Sequence, residues 1–132
     1  MRGRVLALDC SLRLTGVALG EEGREVASEA LDLGRCQAAE LPLMAARLLE
    51  GAGWAVQDLD LVAVTSGPGY FTGIRVGAAY AAALAFGLGV GLVPVPSLEM
   101  LALSCPDRTA VLALIYASWR SEERRVGKEC RS

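Results

Sequence analysis

At 132 residues and a formal net charge of −2, the chain has room for one domain with a modest core and no charge excess to hold a polyanion. Hydrophobic residues make up 53% and charged residues 21%, the balance of a globular chain rather than a disordered one. There is no histidine, which removes histidine metal sites, Ser-His and Cys-His nucleophile pairs and an imidazole base.

The chain opens with RVLALDCS, whose continuous apolar run from Val5 to Leu8 predicts a strand buried on both faces. LTGVALG follows closely enough to fold back on it, and GEEGR predicts a hairpin turn into EVASEALDL, so three strands form a meander. Residues 36–50 predict a helix with Leu41, Met44, Ala45 and Leu48 on its core face, and Pro42 predicts a start near Ala39 or a kink. LDLVAV is a second buried strand, followed by a glycine-rich loop and a helix from about Thr72 to Leu88. VGLVPV predicts a further strand, residues 98–103 a short helix, and AVLALIYA one more strand.

The order βββαβαβα is that of one lobe of the actin-like, ribonuclease-H-like fold: an α/β architecture with a mixed five-strand sheet and helices on both faces. The domain expectation is an N-terminal lobe over residues 1–107, the first strand of a truncated second lobe over 108–119, and a non-native tail over 120–132. That tail, RSEERRVGKECRS, carries five basic and three acidic residues and resembles the translation of a sequencing adapter. Without it the chain holds 8 basic residues (13 − 5) and 12 acidic ones (15 − 3) and no basic stripe interleaved with aromatics, so direct nucleic-acid binding is not expected.

Cys10, Cys36, Cys105 and Cys130 form no CxxC pair, the usage of reduced thiols in a cytosolic protein, and Cys10 at a strand end reads more readily as a small core side chain than as a reactive thiol. Residues 76–98 carry no charge, but Gly87, Gly89, Gly91, Pro94 and Pro96 break the stretch, so no membrane span is expected.

SGPGYFTGIRVG looks like a phosphate loop opening a helix, yet it matches neither phosphate fingerprint. Counting GxxxxGK[ST] from Gly69 puts Ile74 at the second glycine, and GxGxxG meets Thr72 at its third. A packing role explains more: Pro68-Gly69 suits a tight turn, Thr72 an N-cap, and Gly73 and Gly77 a helix surface lowered where another backbone passes. An anion at the helix N-terminus near Arg75 stays open as an alternative. On the same helix, Val76, Tyr80, Leu84 and Leu88 form one apolar side and Ala79, Ala82, Ala83 and Phe86 another, with Ala39, Leu43 and Ala46 the matching outward set on the first helix. One small sheet cannot cover both sides, so Ala39, Leu43, Ala46, Ala79, Ala82, Ala83 and Phe86 are the candidate partner interface.

VLALDCSLRLTGVAL, SGPGYFTGIRVGAAYAAALA and VPVPSLEMLA resemble the TsaB (YeaZ) family across residues 4 to about 119. Tyr70 stands where serine is usual in that family and Cys36 where histidine is common. The resemblance implies a noncatalytic dimerisation subunit that binds TsaD in making N6-threonylcarbamoyladenosine (t6A) in tRNA, with TsaC and TsaE in the same pathway. It implies tRNA contact only through that complex, a cytoplasmic location and no cofactor; the exposed stripe itself implies a homodimer when TsaD is absent. Asp9 in the first hairpin is where actin-like ATPases handle phosphate or magnesium, so Asp9, Thr72 and Arg75 are the candidates for nucleotide contact, although Asp9 reads more readily as a structural turn residue. The rival readings are an actin-like small-molecule kinase and a glycoprotease-like metallopeptidase.

Overall fold

The computed structural model describes residues 2–105, so the expectations for AVLALIYA, for 108–119 and for the tail lie outside the described residues. Three strands, β1 (Arg4–Asp9), β2 (Leu14–Glu21) and β3 (Arg24–Asp32), form an antiparallel meander. The β2–β3 turn is Glu22-Gly23, with φ of 52° and 78°, the left-handed pair that a two-residue hairpin of matching twist requires. Helix α1 (Gln37–Ala52) then leads to β4 (Leu61–Thr65), α2 (Phe71–Leu88) to β5 (Gly91–Val95), and α3 (Ser97–Leu103) follows. The sheet order is β3-β2-β1-β4-β5, with β4 parallel to both β1 and β5.

Register divides the sheet by side-chain size. Leu6 lies opposite Leu19 and Val62, and Leu8 opposite Val17 and Val64, so large aliphatic side chains share one face. Both α1 and α2 pack on that face, and Leu41, Met44 and Ala45 of α1 complete its core with no exposure. The other face carries Ala7 opposite Ala18 and Ala63, with Gly16 opposite Ala30. Met100 of α3 reaches that face at the Thr65–Val95 end.

Arg4 clasps the far end of the sheet. Its Nε donates to Glu21 at 2.8 Å, its guanidinium stacks 4.5 Å from the Trp54 ring centre, and its backbone exchanges hydrogen bonds with Asp60.

Three sequence expectations shift at the helices. The α2 N-cap is Tyr70, not Thr72, because the Tyr70 carbonyl accepts from Ile74 N–H and no side chain caps the helix. Helix α1 starts at Gln37, ahead of Pro42; the proline sits on the exposed side, where water can satisfy the carbonyl its missing N–H leaves unpaired. On α2 the buried line is Gly73, Gly77, Ala81 and Ala85, while Val76, Tyr80, Leu84 and Leu88 are half-buried on its flank. The smallest residues face the sheet because backbone lies there. A Cβ on Gly73 would run into the Cys10 carbonyl oxygen, and one on Gly77 would sit 3.3 Å from the Cys10 Sγ.

The uncharged stretch 76–98 resolves into the end of α2, a left-handed cap at Gly89 and β5. By length and composition α2 is apolar enough to cross a membrane, but its glycine and alanine line is seated on the sheet.

This contact sets an expected outcome. Gly73→Ala must lift α2 off the β1 turn, at a cost of about 3 kcal/mol. Gly87→Ala, with nothing within 4 Å of the added methyl, should be neutral or stabilising by about 0.5–1 kcal/mol. Thermal melts of the two variants decide it: Gly73→Ala melting with the wild type would show that the helix has slack at this point.

Candidate functional site

Two regions hold the residues singled out from the sequence: the loop end of β1 beside the α2 N-terminus, and the outward faces of α1 and α2.

At the loop end, Asp9 is fully engaged on one oxygen. Its Oδ1 accepts from Ser11 N–H at 3.0 Å, from Ser11 Oγ at 2.6 Å and from Thr65 Oγ1 at 3.0 Å. That carboxylate closes the β1–β2 turn on itself and ties it to the end of β4. The same turn fills the start of α2: Tyr70 N–H donates to the Ser11 carbonyl at 2.7 Å, and a Cβ on Gly69 would collide with that carbonyl. Gln37, the first residue of α1, is buried against this joint and donates through Nε2 to Thr15 Oγ1 at 2.9 Å. Ser97 completes the loop, accepting at Oγ from Gly67 N–H while its own N–H donates to the Gly67 carbonyl.

Thr72 and Arg75 are not gathered to Asp9. Both are exposed on α2, and the Arg75 guanidinium lies 5.2 Å from the Phe71 ring centre. The cavity that Asp9 borders has neither Thr72 nor Arg75 in its wall. In this geometry the glycine motif packs a helix on the β1–β2 turn.

The second region has the shape of a surface. Ala39, Leu43, Ala46, Ala79, Ala82, Ala83 and Phe86 are all exposed, Leu43 at 52% and Phe86 at 91%. They lie on the sides of α1 and α2 turned away from the sheet, and the two helices touch each other, so their outward faces adjoin. One member escaped the sequence reading: Phe71, 62% exposed, lies two helical turns ahead of Ala79. Its spacing of i, i+4, i+8 with Arg75 and Ala79 was the available signal.

Cys10 is buried beneath Gly77, on the sheet side of α2. Burial foremost, and the neighbouring Asp9 carboxylate second, push its thiol from the ordinary 9.0 up to about 12. A raised folded-state value means that the neutral thiol favours folding fully below about pH 9, and that this contribution is lost as pH rises towards about 12. A brief iodoacetamide pulse on native protein near neutral pH should therefore alkylate exposed Cys105 and leave Cys10 unmodified by peptide mass spectrometry. The alkaline fall in melting temperature between pH 9 and 12 should be smaller in Cys10→Ala; equal falls would place the titration elsewhere.

A family model described as "TsaD: tRNA N6-adenosine threonylcarbamoyltransferase" matches residues 33–118. The tRNA threonylcarbamoyladenosine biosynthesis protein TsaB of Bacillus subtilis (strain 168) is 30% identical over 118 residues, covering 89% of this chain and 52% of that protein. A tRNA N6-adenosine threonylcarbamoyltransferase of Chromobacterium violaceum is 36% identical over 111 residues, 72% of this chain and 33% of that one. Among solved structures, YeaZ from Pseudomonas aeruginosa superposes with a TM-score of 0.75 at 36% identity, over 80% of this chain and 49% of that chain. The chain thus spans about half the length of the TsaB relatives it matches. With the mixed sheet and its helices in the same arrangement as YeaZ, the chain belongs to the TsaB (YeaZ) family, within the sequences that the TsaD family model describes.

Proposed function

We propose that this chain acts in the biosynthesis of t6A in tRNA as a noncatalytic dimerisation subunit that binds TsaD through the outward faces of α1 and α2. The single observation behind the reading is the exposed stripe Ala39–Leu43–Ala46 beside Ala79–Ala82–Ala83–Phe86. An apolar surface on two adjoining helices, interrupted mainly by alanine, fits close helix-on-helix packing, at the short end of the usual 8–10 Å between axes. Phe86 would supply the large anchor: burying a phenylalanine side chain is worth about 1.5–3 kcal/mol. The names of the relatives support the pathway, and TsaC and TsaE belong to the same proposal, as do tRNA contact through the complex alone and a cytoplasmic location.

The noncatalytic part of the reading rests on chemistry. A chain without histidine lacks the commonest metal ligand and general base. Among the described residues, no group of three or more Asp, Glu or Cys is placed to hold a metal ion. At Asp9, the candidate for phosphate or magnesium contact in an actin-like kinase, Oδ1 already accepts three hydrogen bonds from Ser11 and Thr65. When TsaD is absent, the same stripe would pair two copies of the chain.

Ala82→Glu tests the reading. Placing an unpaired carboxylate in the buried centre of such an interface costs several kcal/mol, about two to three orders of magnitude in affinity. The variant should keep the wild-type circular dichroism spectrum, because residue 82 is exposed, and should lose measurable binding to TsaD in titration calorimetry. A folded variant that binds TsaD with wild-type affinity would remove α2 from the interface.

A further inference from the structure

The sheet ends in two strand edges, and they are built differently. At one edge, β3 carries Arg24, Glu25, Glu29 and Asp32, and it bulges at Val26, where the register opposite Leu19 and Gly20 steps from Ala27 to Glu25. Charges and bulges of this kind keep a free edge from pairing with another chain. At the other edge, β5 has neither. Gly91–Val95 is uncharged, runs in unbroken register along β4 and leaves Leu92 and Val93 40% and 41% exposed. A straight, apolar, uncharged edge is a template on which a further strand can add.

The backbone of β5 shows what stands in the way. The Val95 carbonyl accepts from Ser66 N–H at 2.9 Å, so Val95, and with it Val93 and Gly91, turns its backbone groups towards β4. Alternate residues turn the other way, which leaves Leu92 and Pro94 facing outward. Pro94 can therefore stay in the ladder opposite Val64, because its missing N–H falls on the side that β4 does not use. The flanking residues of the same parity add no donor: Val90 spends its N–H on the Ala85 carbonyl at 3.0 Å, and Pro96 has none. Leu92 alone brings an N–H to the outer row.

We propose that Pro94 decides which surface this chain offers to its own kind, by closing the β5 edge to a second copy that would otherwise pair there strand to strand. Two copies meeting at this edge about a two-fold axis run antiparallel. Centred on Val93, that pairing would set each Leu92 opposite position 94 of the other copy, where the two residues should exchange two hydrogen bonds. With proline at 94 one bond of each pair is missing, and the ring stands where the donor should be. On an edge with neither charge nor bulge, the proline is the barrier. The inference rests on the sheet alone and does not depend on what covers the α1–α2 stripe.

The test compares the 132-residue chain with its Pro94→Val and Pro94→Glu variants, each with and without Ala82→Glu, so that association through the helical stripe is told apart from association through the edge. Valine restores the N–H on an apolar side chain, whereas glutamate restores the same N–H together with a charge, the means that β3 uses. In sedimentation velocity at rising concentration, Pro94→Val should gain a dimer or larger species in both backgrounds, while Pro94→Glu should sediment as the parent chain does. Amide exchange at Leu92 and at position 94 should slow by about tenfold or more in the associated valine variant. A valine variant that sediments as the parent chain does, with these amides exchanging freely, overturns the proposal. Equal association of the valine and glutamate variants overturns it as well, since the restored N–H would then not be acting through strand pairing. Pro94→Thr replaces the valine variant if that one does not melt cooperatively; failure of both to fold would show that Pro94 serves the lobe's own stability instead.

Discussion

The lobe hangs on one contact: the backbone of α2 pressed against the backbone of the β1–β2 turn at Cys10 and Ser11. Gly69, Gly73 and Gly77 recur at four-residue spacing, and each presents a bare Cα where a side chain would strike that turn or the Cys10 thiol. Four residues is close to one helical turn, so the three glycines cut a single notch along the helix and its lead-in. The notch fixes how deep α2 sits and which way it is turned. Everything outward of it, from the half-buried Val76 and Tyr80 to the exposed Ala82 and Phe86, takes its aim from that seating.

The turn that receives the helix must itself be rigid, and its polar groups are arranged to make it so. The Asp9 carboxylate gathers Ser11 and Thr65, the Ser11 carbonyl takes Tyr70 N–H, and Gln37 brings the start of α1 to Thr15. Buried polar groups are costly unless paired, and among the described residues no buried side-chain nitrogen or oxygen lacks a partner. A motif with the glycine content of a phosphate loop is thereby used to dock protein on protein. The Tyr70 N–H at the start of α2 is spent on the Ser11 carbonyl.

The fold was largely legible because apolar runs and turn residues are local signals. Val5–Leu8, the Glu22-Gly23 turn and the apolar helix after Arg75 each announce themselves within a few residues, and the order of elements follows. Exposure of the Ala39–Phe86 stripe was also legible, since one sheet face cannot cover two sides of a helix. Half of the buried line of α2 was legible, Gly73 and Gly77 as a surface lowered for a passing backbone; Ala81 and Ala85 were not, because hydrophobicity ranks valine and leucine as the inward residues whereas the close approach of the Cys10 backbone makes size decide. Nor was the engagement of Asp9: its partner Thr65 lies 56 residues away and only the parallel pairing of β1 with β4 brings them together. Thr72 misled for a related reason, since Tyr70, tied to Ser11, already starts the helix.

The composition of α2 has a consequence for how a surface built on it would behave. Its sheet side is glycine and alanine, and its solvent side is mostly alanine up to Phe86. Neither residue has side-chain rotamers to lose, so seating the helix on the sheet and covering it from outside cost little side-chain entropy. A surface of this kind is largely preorganised: its alanines keep their shape when covered, and the rotamer choices fall to larger side chains such as Leu43, Phe71, Arg75 and Phe86. Recognition on such a surface discriminates by contour rather than by adaptable polar contacts, and it is unforgiving of added bulk.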